Sequence, residues 1–283
     1  MHILIIGKNG QVGYELVQAC KMRNISFDAT ARDELDLTDL QGINRFFARH
    51  HNYDFVINAA AYTQVDKAED EPELADLVNH QAVGVIAQMC QQYDIPLLHI
   101  STDYVFDGKS EILYSEEDEA NPLNIYGKTK HEGEKAVIKY LDKYIILRTG
   151  WIFGRQGENF VKKIASLACE KKSLNVVGDV YGCPTSAIDV SRVLLEIILS
   201  PIKVWGLYHY SAFPLTTWHQ FACAVLRYVP VNNVEFVQPI LSHQFYQKAL
   251  RPKHSGLNGN KLKADYHIAQ NNWEKYIAGC LSD

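Results

Sequence analysis

The sequence predicts an α/β protein, a doubly wound parallel sheet followed by a smaller C-terminal domain of mixed α/β structure. Three observations predict it. A glycine-rich turn, Gly7-Lys8-Asn9-Gly10-Gln11-Val12-Gly13, separates an apolar run from a helical pattern at the start of the chain. Strand and helix signals then alternate as far as Thr149, as a parallel sheet requires. Beyond Trp151 the alternation gives way to short mixed elements punctuated by Gly178, Gly182, Pro184, Pro201, Gly206 and Pro214, with aromatic residues crowded between Trp205 and Trp218.

Taken in order, Ile3-Leu4-Ile5-Ile6 reads as a buried strand, and Val12, Leu16, Val17 and Cys20 recur at helical spacing. A strand near Ile25–Ala31 and a helix from Leu40 to about His50 follow. Asp54–Ala59 is the third strand, and an acidic-capped helix runs from about Glu73 to Tyr93. Pro96–Ser101 and Tyr144–Thr149 are two further strands, with a helix beginning near Asn124 between them. Right-handed crossovers wind such units into one sheet. Ligands bind beyond the carboxyl ends of its strands, where Ala59–Thr63 and Thr102–Gly108 emerge. The expected division is a Rossmann-type dinucleotide-binding domain over residues 1–151 and a substrate domain over 152–283. Part of 186–200 joins the first domain, because Ile188–Leu199 can return to it.

A strand, a tight glycine turn and a helix N-terminus make a site for pyrophosphate. Glycine lets the backbone approach the ligand, and the helix offers free N–H groups and the positive end of its dipole. At 283 residues the chain has ample size for a core, and its 47% hydrophobic and 22% charged content is that of an ordinary globular protein. With 28 basic and 33 acidic residues the net charge is −5, which argues against a nucleic-acid partner. The opening apolar run is too short for a signal peptide, and no later stretch could span a bilayer. The six cysteines lie far apart without a C-x-x-C pair, which fits reduced thiols in a cytoplasmic protein. Glu116–Glu119 reads as a solvated acidic loop. The 11 histidines show no metal-ligand spacing, so no metal is expected.

Tyr126-Gly127-Lys128-Thr129-Lys130 puts a phenol and an ammonium on one helix face. A carbonyl reductase needs an acid to protonate the oxygen as hydride reaches carbon. A tyrosine with a pKa of about 10 suits that task poorly near neutral pH unless a cation such as Lys130 lowers it. The pair alone proves little, since composition produces such a spacing by chance roughly once. It is nonetheless the only tyrosine here with a lysine four residues on.

Other segments add weight. Ser101-Thr102-Asp103-Tyr104-Val105-Phe106-Asp107-Gly108 follows a predicted strand at the right distance upstream to meet Tyr126 across a cleft. With the glycine turn and Asn58-Ala59-Ala60-Ala61, it makes the chain resemble the extended short-chain dehydrogenase/reductases. The resemblance tightens toward the dTDP-4-dehydrorhamnose reductases through Ala60, Tyr62 and Thr63 with Val65–Glu69, Arg148–Gly154 and Asn159-Phe160. It continues through Gly182–Thr185, Gly206–His209 and Arg251-Pro252 with Ser255 and Leu257, covering essentially the whole chain.

The resemblance implies an NADPH-dependent reduction of the 4-keto group of a dTDP-6-deoxyhexose to dTDP-L-rhamnose, for cell-surface polysaccharide synthesis. Gly7, Gly10, Gln11, Val12 and Gly13 would hold the pyrophosphate, and Asp36 and Leu37 would contact the adenine. Ala61, Tyr62 and Thr63 would lie along the cofactor, with Ile100 below it. Tyr126 and Lys130 would complete the nicotinamide-ribose site. Thr102 would bind the reacting oxygen, Asp103 the sugar nucleotide, and Trp151 the deoxysugar, with Asn159 and Arg251 also on the substrate side. Trp151 also reads as simple core, and Asp103 as a turn cap. Ile188 stands where some family members place a magnesium-binding glutamate at a dimer contact, so no such metal bridge is expected. Ala31 occupies the place of the acid of many NAD-selective proteins and Arg32 follows, so NADPH should be accepted at least as well as NADH. A monomer or homodimer is expected. A related nucleotide-sugar reductase or epimerase shares the fold and the triad, and a non-catalytic regulatory subunit is the third reading.

Overall fold

The computed structural model describes residues 1–282. Its first half alternates as the pattern requires: β1 (His2–Ile6), α1 (Gln11–Met22), β2 (Ser26–Thr30), α2 (Leu40–Arg49) and β3 (Phe55–Asn58). Then come α3 (Val65–Ala68), α4 (Pro72–Asp76), α5 (Ala82–Gln92), β4 (Leu97–Thr102), α6 (Ile125–Tyr140) and β5 (Tyr144–Thr149). The predicted single helix over Glu73–Tyr93 is interrupted, because Leu77–Gln81 widens into a π-helical turn. There the Asn79 side chain clasps the Tyr62 backbone, accepting its N–H at 2.8 Å and donating to its carbonyl at 3.0 Å. Gly133 of α6 packs so close to the Asn79 carbonyl that a Cβ would lie 2.2 Å from it. Widened turns of this kind are often found where a helix must present a group.

The second half runs β6 (Ile152–Phe153), α7 (Phe160–Glu170), β7 (Ser173–Val177), β8 (Tyr181–Gly182), β9 (Thr185–Ser186) and α8 (Ala187–Leu199). It closes with β10 (Gly206–His209), β11 (Thr216–Thr217), α9 (Trp218–Leu226), β12 (Phe236–Ile240), α10 (Asn260–Tyr266) and α11 (Ile277–Leu281). The main sheet has the order β10-β5-β4-β3-β1-β2 and every pairing is parallel. Thus α8, packed on α1, and β10 both return to this sheet, and β10 lies beyond the 186–200 stretch.

Alternation along the strands sorts the core into two layers. Ile3, Ile5, Ile57, Leu98, Ile145 and Leu147 face α1 and α8. Leu4, Ile6, Val56, Leu97 and Ile146 face α2, α5 and α6. A third core, built from Phe153, Val161, Phe221 and Trp273 among others, lies in the remaining C-terminal elements. The chain order reverses at β1, whose neighbours are β2 and β3, and loops leaving the carboxyl ends of β1 and β3 diverge there into a crevice.

Candidate active site

The crevice is a cavity of about 890 Å³ lined from both halves of the chain. Its first wall is the glycine turn. Gly7 has φ +93°, and a Cβ on it would lie 2.8 Å from the Ala60 nitrogen, so only glycine fits between β1 and the β3 loop. Gly10 is the N-cap of α1, without a side-chain cap and with no acid in the first turn. The first N–H groups of that helix therefore face the cavity with their dipole unopposed, the electrostatics an anion requires. Gly13 serves packing instead. Its Cβ would sit 2.0 Å from the Gly7 carbonyl, and it lies outside the cavity lining.

The carboxyl ends of the strands supply the remaining groups. Arg32, Asp36 and Leu37 line the cavity after β2, Ala61, Tyr62 and Thr63 after β3, and Ile100, Thr102 and Asp103 at the end of β4. The Thr102 hydroxyl donates to Asp103 at 3.1 Å and accepts the Tyr104 N–H at 3.2 Å. Asp103 is buried, one of its oxygens has no partner, and burial raises its pKa to about 7 against hydrogen bonds from Ser255 and Thr102. Asn124 caps α6 by accepting the Gly127 N–H at 2.8 Å, and Gly127 lets that first turn press against the Tyr104 carbonyl. Tyr126 thereby enters the cavity beside Tyr104, with ring centroids 5.9 Å apart, and Lys130 follows one turn on.

One expectation is corrected here. Burial pushes the Tyr126 phenol up to about 12, the Thr102 hydroxyl draws it back only partly, and the Asp103 charge adds to the rise. Lys130 does not lower it. That nitrogen is buried, donates to the Ile100 carbonyl at 2.7 Å and lies 3.3 Å from Nε2 of His99. Burial lowers its own pKa to about 8 against the pull of Glu134.

Of three further residues expected on the substrate side, two lie outside the cavity lining and one lies on it. Arg251 lies outside the cavity lining and forms a two-pronged ion pair with Asp66 at 2.6 and 2.7 Å, tying the late segment to α3. Asn159 caps α7, and its amide donates to the Gly154 carbonyl at 2.8 Å and to Gln11 at 3.2 Å, also outside the lining. Trp151 lines the cavity but is only 9% exposed, and its indole stacks on Trp218 at 3.4 Å. One of its faces is therefore covered by protein. Gly182 lies against the indole edge, where a Cβ would come within 2.3 Å.

Sequence reasoning missed a buried polar ridge behind the site. Asn58, His99, Ser101, Arg148 and His209 come from adjacent strands and meet Lys130 and Glu134 of α6. The available signal was a polar residue at an inward position of an apolar strand, as with His99 in Leu97-Leu98-His99-Ile100. The reading also passed over Asn9, Glu158 and Trp218 in the lining, and Glu34, whose carboxylate accepts the Ala31 N–H at 2.7 Å.

Among the described residues, no helix is long and apolar enough to cross a membrane. Residues 1–283 match the family model described as the RmlD substrate binding domain. A dTDP-4-dehydrorhamnose reductase of Salmonella typhimurium is 36% identical over 100% of this chain and 98% of its own length. The Escherichia coli K12 protein of that name is 35% identical with the same coverage. Among solved structures, a dTDP-4-dehydrorhamnose reductase from Clostridium acetobutylicum superposes with a TM-score of 0.93 at 36% identity, covering 98% of this chain and 97% of its own. One from Bacillus anthracis in complex with NADP gives 0.92 at 32% identity, covering 98% and 96%. A Thermus thermophilus UDP-glucose 4-epimerase in complex with NAD, at 20% identity and a TM-score of 0.81, shares the fold.

Proposed function

The chain belongs to the RmlD substrate-binding family, and from that premise we propose that it is an NADPH-dependent dTDP-4-dehydrorhamnose reductase. It reduces the 4-keto group of dTDP-4-dehydro-L-rhamnose to give dTDP-L-rhamnose, and it accepts NADPH at least as well as NADH. The single observation that carries this reading is the cavity itself. One continuous space runs from an uncapped helix N-terminus and its glycine turn to a threonine, a tyrosine and a lysine gathered beyond β4 and in α6. The turn fits the cofactor, because a side chain at Gly7 would fill the place where backbone must come close.

When bound, NADPH supplies the hydride. The free N–H groups of Gln11 and Val12 at the α1 N-terminus, with the Gly10 backbone beside them, would hold its pyrophosphate, Leu37 and Asp36 would flank the adenine, and Arg32 would meet the 2′-phosphate. Ile100 would form its floor, with Ala61, Tyr62 and Thr63 alongside. Thr102 donates a hydrogen bond to the sugar oxygen, and the Tyr126 phenol delivers the proton as charge builds there. Burial keeps the phenol protonated at working pH but makes it a weaker acid than a free tyrosine, so transfer depends on the charge that builds on the sugar oxygen. Asp103 faces the sugar hydroxyls, and Trp151 offers the face not covered by Trp218. The nucleotide-binding unit comprises 1–151 with α8 and β10, and the remaining C-terminal elements form the substrate unit. A monomer or homodimer in the cytoplasm completes the reading. Incubation with dTDP-4-keto-6-deoxy-L-mannose and NADPH, with the product identified by NMR, tests it. Failure to form the rhamnose product while NADPH binds would reject this substrate.

A further inference from the structure

We propose that His99 is a positioning residue for Lys130: oriented by Asn58, its ring presents an N–H to the lysine nitrogen, so that this amine can lose and regain a proton during turnover. His99 is fully buried on β4, where an imidazole is tolerated only if both nitrogens find partners. Nε2 lies 3.3 Å from Nζ of Lys130, and Nδ1 lies 3.2 Å from Nδ2 of Asn58. The direction of these contacts is set from outside. The Ala60 backbone N–H, which can only donate, points at Oδ1 of Asn58 at 3.1 Å. That fixes the oxygen end of the amide and leaves the NH2 group for His99. Nδ1 must then accept, and a neutral ring carries its proton on Nε2, facing the lysine.

An ammonium at that place would meet the ring N–H head-on. A neutral amine accepts from it and donates to the Ile100 carbonyl at 2.7 Å. The opposite arrangement requires the Asn58 amide to turn and set its NH2 against the Ala60 N–H.

Charged neighbours do not reverse this. On α6, Glu134 acts on both groups, but its carboxylate is bound by Arg148 of β5 at 2.7 and 2.8 Å. It also accepts from Ser101 of β4 and pairs with His131 at 3.1 Å. From β3 the pair meets only the uncharged Asn58. Burial and the Lys130 charge keep His99 neutral, well below the usual histidine range, and burial brings Lys130 to about 8. The consequence for turnover rests on the reductase reading. Once Tyr126 has given its phenolic proton to the sugar oxygen, the phenolate must receive another. A lysine that changes charge near neutral pH can give one up and recover it from water through the cavity it lines, whereas a permanently fixed ammonium cannot.

Two measurements on the full-length, ligand-free protein test the proposal. In a long-range 1H–15N spectrum of 15N-histidine-labelled protein recorded above pH 8, where the lysine is a neutral amine, His99 should carry its proton on Nε2 with Nδ1 bare. A proton on Nδ1 would overturn the proposal. In 13Cε-lysine-labelled protein, the Lys130 resonance, identified by its loss in Lys130→Met, should titrate near pH 8. His99→Phe removes the ring N–H and should raise that midpoint by about one pH unit. His99→Gln can bring an amide N–H to the same place and should restore it. An unchanged or lower midpoint in His99→Phe, or a raised one in His99→Gln, would overturn the proposal. If the phenylalanine variant does not fold, the ring tautomer and the glutamine variant still decide. Neither spectrum involves substrate, so a wild-type protein that failed to reduce the sugar would refute the reductase reading and leave this one standing.

Discussion

Substituting Arg148 by methionine exposes how much the ridge behind the active site contributes to folding. The Glu134 carboxylate is 1% exposed and the guanidinium 5%, and the two meet in a bidentate pair at 2.7 and 2.8 Å. Arg148→Met leaves a buried carboxylate with only Ser101 and His131 as partners, and breaking a pair of this kind costs about 3–5 kcal/mol. Titration gives a similar magnitude. Although burial alone would raise it, hydrogen bonds and charge from Arg148, with His131 and Ser101, bring Glu134 from 4.5 to about 2. At about 1.36 kcal/mol per pH unit that fall corresponds to roughly 3 kcal/mol. The folded pKa is depressed, so this stabilisation is fully present above pH 4.5 and is lost as pH falls toward 2. Urea unfolding followed by tryptophan fluorescence at neutral pH and again below pH 4.5 is the assay. Arg148→Met should lose ~3–5 kcal/mol at neutral pH and lose less than wild type on acidification. Glu134→Leu combined with Arg148→Met should cost less than the two single changes added together, because both act on one pair. A loss below ~1 kcal/mol, or an acid slope equal to wild type, would show that the pair contributes no more than a surface contact.

Tyr126→Phe should leave NADPH affinity almost unchanged while lowering kcat more than tenfold in steady-state assays. A smaller drop, under about 1.4 kcal/mol of barrier, would remove the phenol as the acid. Arg32 is 77% exposed and held only loosely by Asp36 at 3.4 Å, so it is free to turn toward a 2′-phosphate. Arg32→Ala should weaken NADPH by about fivefold in fluorescence titration and leave NADH nearly unaffected, and equal losses would place the preference elsewhere. Trp151→Ala opens a gap against Trp218 and should cost about 3–5 kcal/mol in urea unfolding. A stability loss below ~1 kcal/mol together with a raised KM would assign the indole to the sugar alone.

The parts of this fold that were legible in the sequence are those governed by local rules. The apolar runs of β1, β3, β4 and β5 and the helical spacing of α1 specify buried strands and a covered face without reference to anything distant. Gly7 announces a phosphate turn because no other residue tolerates that approach. Tyr126 and Lys130 share a helix face by spacing alone. What escaped was set by contacts between distant segments. The π-helical turn at Leu77–Gln81 exists because Asn79 must reach the Tyr62 backbone, and no local propensity encodes that reach. Arg251 has the composition of an anion-binding residue, but Asp66, 185 positions away, takes both prongs of its guanidinium.

The phenol–lysine pair shows the same limit within the site. Spacing brings the two side chains to one face, and the inference that the cation lowers the phenol assumes an unencumbered ammonium. Burial shifts that ammonium down to about 8 against Glu134, and its nitrogen is engaged by the Ile100 carbonyl and faces His99. The residue types were therefore readable from the chain, whereas their charge states were not. A charge state depends on every dipole within a few ångströms, and here those dipoles arrive on β3, β4, β5 and α6 together. The chemistry of the site is accordingly a property of how the sheet aligns its strand ends, with Ala60 fixing Asn58, Asn58 fixing His99, and His99 meeting the lysine.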